Sequence, residues 1–163
     1  LNFLTFIQAV EAYHRRASDE TDRPPDEHAA RMKTILDAAP AEHRGWLREK
    51  LRYSNELSLR RRLKRLFSQF SYLLDDLIPD RGTTISEICE NRNYLTHYDA
   101  TLKSRAASGT RLLLLVEVLK LLLQACFLRE LGLPDATIQE FVGRSRSVRM
   151  IQHLNNRIAR GDY

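Results

Sequence analysis

Residues 85–99 read ISEICENRNYLTHYD, and they place an arginine where a helix should bury an apolar side chain. The three- and four-residue spacing of one helical face is followed by Ile85, Ile88, Cys89, Arg92 and Leu95. Arg92 therefore interrupts an apolar stripe. A guanidinium in such a position must be paired, must reach the rim with its head group, or must line a cleft that holds an anion.

The rest of the chain also carries helical periodicity. Its 6 Gly and 5 Pro lie almost wholly between the periodic stretches, and no alternating run is long enough for a sheet. We therefore predict an all-α fold, a bundle of about six to seven helices around a long apolar helix, within a single domain spanning residues 1–163. The predicted bounds are about Phe3–Arg16, a second helix to Ala39, a third after Pro40 to Ser54 or Asn55, Leu59–Leu74, and a motif helix to His97.

Two local features shape these predictions. Thr83 or Thr84 is expected to cap the motif helix, with Glu87 completing a capping box. The most apolar stretch, residues 112–131, contains Glu117, Lys120 and other polar residues that a bilayer would penalise, so it is predicted to be a buried core helix.

Charge and cysteine content limit the class of protein. The chain has 26 Lys plus Arg against 21 Asp plus Glu, a net charge of +5, and 21 of those cations are Arg. Arginine forks suit phosphate groups, although a GC-rich genome produces the same bias. Its 2 cysteines lack the spacing of a disulfide scaffold or a zinc site, which favours a reducing cytoplasm. No metal or nucleotide-loop motif occurs, so we expect no metal and no cofactor.

The spacing of Arg92 and His97 imposes a geometric condition. Residues five apart on a straight helix differ by about 140° in direction and about 7.5 Å in height. Asn93 and His97, four apart, share a face. Convergence of Arg92 and His97 on one phosphate therefore requires that the helix frays or kinks near His97, or that a second copy of the motif meets the first. The structural alternatives are an ion pair or a carbonyl contact for Arg92 and a helix C-terminal cap for His97.

The sequence RNYLTH, residues 92–97, resembles the Arg-polar-x(n)-His motif of HEPN domains, a helical superfamily rich in ribonucleases. The first helix with EAYHR at residues 11–15, and Tyr98-Asp99 after the motif, resemble the ApeA-like branch found in bacterial anti-phage proteins. Some HEPN toxins carry a tyrosine two residues after the histidine. Here that position is Asp99, so the regulation that acts on that tyrosine is not carried over.

The resemblance implies a metal-independent endoribonuclease that acts in abortive infection. His97 would serve in acid/base chemistry on the 2′-hydroxyl and the leaving oxygen, Arg92 would stabilise charge on the phosphorane, and Asn93 would orient the site. One motif supplies a single histidine, so a homodimer through the motif face is expected. Such domains commonly end larger proteins, and the chain does not begin with Met, so we expect an upstream domain.

Other residues are weaker candidates. A basic run, Arg60, Arg61, Arg62, Lys64 and Arg65, suits an RNA backbone, or is simply a solvated helix face. Glu11 and His14 are possible accessory residues, with surface support of the first helix as the alternative.

Cys89 lies about 12 Å along the helix from His97, too far for a nucleophile pair, and is expected in the core. The remaining functional alternatives are a catalytically silent module that binds a ligand or a partner, and a nucleic-acid-binding domain that uses the basic run alone.

Overall fold

A computed structural model describes residues 3–98 and 100–161. Within these residues the chain forms nine α-helices, one 3₁₀ turn at Ala100–Leu102 and no strand, apart from an isolated bridge between Thr21 and Glu56. The predicted all-α class is confirmed, and short helices raise the count above the predicted six to seven. The helices are α1 Phe3–Ala17, α2 Pro25–Ala38, α3 Ala41–Lys50, α4 Leu59–Gln69, α5 Ser71–Leu74, α6 Arg81–His97, α7 Gly109–Glu130, α8 Asp135–Gly143 and α9 Arg146–Ala159.

The fourth helix is shorter than its periodicity predicts. It ends at Gln69, because Phe70 leaves the helical region (φ −106°, ψ 30°) before the short helix α5 begins. Phe70 is fully buried, and its backbone N–H still donates to the carbonyl oxygen of Leu66. The bend keeps both halves of the apolar face in the core, so tertiary packing overrides the straight helix that the spacing indicates.

The chain divides into two compact units, residues 1–17 with 59–163 and residues 18–58. In the larger unit α7 packs against α1, α8 and α9, and its buried side chains run from Thr110 to Cys126. The motif helix α6 packs against α1 and α4. The prediction of a buried core helix is confirmed for α7, and no helix in the described part of the chain is long and apolar enough to cross a membrane.

The smaller unit is a hairpin of α2 and α3. Arg44 joins their ends, since its Nε donates to the Ala39 carbonyl oxygen (2.9 Å) and its Nη2 to that of Asp37 (3.2 Å). Asn55 closes the base of the hairpin through bonds to the backbone of Arg23 and Asp22. Neither helix contains a buried side chain. Polar contacts therefore hold this hairpin together more than a hydrophobic core does.

Candidate active site

The start of α6 is fixed by an aspartate. Asp80 is the N-cap, and its carboxylate accepts bonds from the backbone N–H (2.9 Å) and the hydroxyl (2.6 Å) of Thr83. These bonds lower the pKa of Asp80. The predicted cap at Thr83 or Thr84 is therefore wrong, and so is the capping box. Glu87 instead accepts from Arg111 on α7, with 2.8 Å to Nε and 2.6 Å to Nη2.

Arg92 lies at the edge of the apolar stripe that the spacing predicts. Ile85, Ile88 and Cys89 are buried, whereas Arg92 and Leu95 are half-buried. The Nε of Arg92 is buried and has no hydrogen-bond partner among the described residues. Leaving a buried donor unsatisfied costs about 1–3 kcal/mol, so this nitrogen is a liability in the folded chain unless an acceptor reaches it.

Asn93 is half-buried and His97 is exposed on the last turn of α6. The helix remains regular through His97, as predicted, and ends at Tyr98, whose φ of 49° is left-handed and whose N–H donates to the Tyr94 carbonyl oxygen (2.8 Å). The helix thus neither frays nor kinks before His97. On a straight helix Arg92 and His97 leave the axis about 140° apart, so α6 alone does not direct both side chains to one point.

The residue after α6 combines exposure with an unusual backbone. Tyr98 is the only residue other than glycine with a positive φ in the described part of the chain, and it is 79% exposed. Its ring meets that of Tyr94 edge to face, with centroids 6.5 Å apart. Two tyrosines therefore border the end of the motif helix. Asp99, which occupies the position of the toxin tyrosine, lies outside the described residues.

Side chains of α1, α4 and α6 meet around Cys89. Burial raises the pKa of the Cys89 thiol, the positive charges of Arg60 and Arg92 oppose that rise, and the negative charges of Glu90 and Glu11 add to it. The thiol is therefore held neutral, as its expected place in the core requires. Glu11 and Arg60, both candidates from the sequence, lie on α1 and α4, the two helices that pack against α6.

Arg62 and His14 depart from their predicted positions. Arg62 is only 3% exposed, and its Nη1 lies 3.4 Å from Nδ1 of His14, itself 5% exposed. The helical period turns Arg62 toward α1, because it lies three residues after the buried Leu59. Including Arg62 in a solvent-facing basic run is therefore wrong, and His14 belongs to a buried polar pair.

The other cations of the basic run are exposed. Arg60 Nη1 donates to the Ser86 hydroxyl (2.7 Å), which in turn donates to the Gly82 carbonyl oxygen (2.9 Å). Arg60 therefore ties α4 to the first turns of the motif helix. We call the exposed side of α4 the α4 basic face; it consists of Arg60, Arg61, Lys64 and Arg65.

Two ion pairs that helical spacing does not predict brace the motif helix. Arg105, after the 3₁₀ turn, pairs with Glu90, and Arg111 pairs with Glu87. The partners lie 15 and 24 residues apart, so no helical spacing links them. The only local signal is that Glu87 and Glu90 are three residues apart and so share a side of α6. No group of three or more His, Cys, Asp or Glu residues in the described chain is arranged to hold a metal ion.

The all-helical bundle, with an Arg-Asn-x3-His motif on the last two turns of a helix that packs beside α1 and α4, defines a HEPN-type domain. The family described as Apea-like HEPN matches residues 4–137, which is most of the chain. The chain belongs to this family, which confirms the resemblance and supports a nuclease-type or defence module in general. Neither a curated protein nor a solved structure matches the chain.

Proposed function

We propose that this domain is a metal-independent endoribonuclease that acts in abortive-infection defence against phage. The observation that carries the proposal is the unsatisfied Nε of Arg92, held on the motif helix of a HEPN family member. A buried guanidinium donor without an acceptor costs stability, and an anionic phosphate oxygen is the acceptor that suits it best. HEPN domains are generally ribonuclease-like, so the proposed anion is a phosphate group of RNA.

The proposed reaction is an attack of the ribose 2′-oxygen on the adjacent phosphorus. A histidine removes the 2′-hydroxyl proton, the new P–O bond forms, and the bond to the 5′-oxygen breaks as that oxygen receives a proton. The products are a 2′,3′-cyclic phosphate and a 5′-hydroxyl. His97 moves protons, Arg92 stabilises the charge of the phosphorane, and Asn93 orients the site.

A single His97 does not supply an acid and a base in the same step. We infer that two copies meet through the motif face, so that one His97 acts as base and the other as acid. The regular course of α6 through His97 supports this arrangement, since it separates Arg92 and His97 within one chain. A two-fold axis at the end of α6 would bring both motifs to one phosphate.

The α4 basic face is the proposed path of the RNA backbone. Its four cations are exposed, and Arg60 is tied to α6 through Ser86, which connects the face to the motif helix. Arg62 is left out because it is buried. Glu11 remains a candidate accessory residue through its charge beside Cys89, while His14 is assigned to packing with Arg62.

A catalytically silent module is the second candidate. The separation of Arg92 and His97 in one chain favours it if the protein is monomeric, because a single motif then has no second histidine. Such a module would bind RNA or another anion without turnover. The oligomeric state therefore discriminates between the two candidates.

The decisive experiment is cleavage of end-labelled RNA by purified variants. Arg92→Ala and His97→Ala are expected to lose the activity of the parent protein while keeping its helical circular dichroism spectrum. His153→Ala and Arg157→Ala, at exposed positions on α9, are the matched controls and should cut at the parent rate. EDTA should not slow the reaction. A motif variant that cuts as fast as the parent would show that the mechanism is wrong.

A further inference from the structure

The α2–α3 hairpin carries an aromatic surface that its own packing does not use. Trp46 on α3 is 60% exposed and Tyr53, just after it, is 67% exposed. The apolar contacts of the hairpin lie elsewhere, since Leu51 lines a cavity of about 120 Å³ together with Met32 and Ile35 of α2. Trp46 is five residues from Leu51, and so about 140° away around the helix.

Trp46 and Tyr53 lie on one side of the chain. Lys50 is one turn after Trp46, and the backbone N–H groups of Arg52 and Ser54 continue the helical winding by donating three residues back. Tyr53 thus follows Trp46 by about two turns. The guanidinium of Arg52 lies over the ring of Tyr53, 5.8 Å from its centroid. These four residues, Trp46, Lys50, Arg52 and Tyr53, form what is called the α3 aromatic face.

Charge on this face is uneven. Glu42 lies one turn before Trp46, and Glu49 and Lys50 lie three and four residues after it, on the same side as the two rings. Arg44 is engaged at the end of α2, since its Nε and Nη2 donate to the carbonyl oxygens of Ala39 and Asp37. Between the two exposed rings, the two cations Lys50 and Arg52 therefore stand against the one carboxylate of Glu49, which leaves a single positive charge there.

We propose that the α3 aromatic face binds single-stranded RNA by stacking bases on Trp46 and Tyr53, with the intervening phosphate contacted by Lys50 and Arg52. Exposed rings flanked by cations match the two parts of a nucleotide, since the base offers a π-face and the backbone offers negative charge. A double-stranded RNA keeps its bases stacked on one another, so it is excluded from this mode. This proposal rests on the proposed function only because it takes RNA as the ligand. The role of the hairpin would be to bind the RNA substrate.

Trp46 is the only tryptophan in the chain, so its fluorescence reports on this face alone. The whole chain carrying His97→Ala, which keeps the RNA intact, is titrated with a single-stranded oligouridylate at low salt. We expect saturable quenching of Trp46 emission and protection from iodide. Heparin, a polyanion without bases, should not quench the emission. Equal quenching by heparin would overturn stacking and leave only charge attraction.

Variants locate the contact. Tyr53→Ala should weaken the RNA affinity about fivefold or more, because one stacking contact is lost, while Tyr53→Phe should keep it. Phe141→Ala, which removes an equally exposed ring on α8, is the control and should change nothing. Trp46 emission that RNA leaves unchanged would overturn the proposal. The two proposals can fail separately. If RNA quenches Trp46 but the parent protein does not cleave RNA, the α3 aromatic face binds RNA and the proposed nuclease activity is wrong.

Discussion

His97 follows Arg92 by five residues on the unbroken helix α6, so the two side chains leave the helix about 140° apart. Arg92 is half-buried at the edge of the core, and His97 is exposed at the helix end. The two functional groups of the motif are therefore presented in different directions by a rigid element. In the proposed dimer, a second chain would bring the other residue of the motif to the same phosphate.

Subunit mixing tests this requirement. If both histidines act in one step, a dimer with one His97→Ala chain is inactive, and only parent–parent dimers cut RNA. An equimolar, fully exchanged mixture should then retain about one quarter of the activity of the same total concentration of parent, following the binomial fraction of intact dimers. If the mixture instead retains half of the parent activity, each chain acts alone.

Arg92→Leu is expected to stabilise the fold while it removes activity. The substitution replaces an unsatisfied buried donor by an apolar side chain on an apolar stripe, a gain of about 1–3 kcal/mol. For a chain of this size, each kcal/mol corresponds to a rise of about 2–4 °C in Tm. Thermal unfolding followed by circular dichroism measures it.

The matched control is Arg60→Leu, which removes the bond from Arg60 to Ser86 and should not raise Tm. A lower Tm for Arg92→Leu would show that the guanidinium stabilises the folded chain, and would weaken the case that Arg92 is kept for an anion.

The Arg111–Glu87 pair is expected to stabilise the larger unit. Its side chains are only 26% and 24% exposed, and Glu87 accepts two bonds, so Glu87→Gln should lower the free energy of unfolding by about 1–2 kcal/mol. The contrasting pair is Lys33–Asp37 on α2, at 78% and 61% exposed, where Asp37→Asn should have no measurable effect. Urea unfolding measures the free energy of unfolding of both variants. Equal losses for Glu87→Gln and Asp37→Asn would contradict the prediction.

Asp80 gives the start of α6 a defined acid sensitivity. Its pKa in the folded chain is lowered from 3.8 by the bonds to Thr83. A lowered folded pKa means that the stabilisation is fully present above the unfolded value and is lost as pH falls through the folded value. Asp80→Asn keeps a cap acceptor without a charge, so its Tm should decrease less than that of the parent between pH 5 and about pH 2. Identical pH profiles would show that the carboxylate does not contribute.

Local periodicity was sufficient to predict much of the larger unit. The buried Ile85 and Ile88, the helix end at His97 and the core position of α7 all follow from three- and four-residue spacing. Such spacing describes one helix at a time. It therefore misses Arg62, whose burial depends on α1, and the bracing of α6 by Arg105 and Arg111, whose partners lie on other elements.

Periodicity also does not predict the N-cap of α6 or the bend that ends α4. Asp80 and Thr83 are both acceptable caps by type, and residue type alone does not choose between them; in the structure Asp80 is the cap and Thr83 donates to it. The bend at Phe70 is set by packing of a fully buried ring. The predicted cytoplasmic location and upstream domain stay predictions.

The most direct test of the central claim is the chemistry of the RNA ends. Mass spectrometry of fragments cut by the parent protein in EDTA should find 2′,3′-cyclic phosphates and 5′-hydroxyls. His97→Ala should reduce their yield by about 10²–10⁴-fold, the usual contribution of an acid/base residue. Fragments that end in 3′-hydroxyl and 5′-phosphate, or undiminished cyclic phosphate from His97→Ala, would contradict the mechanism.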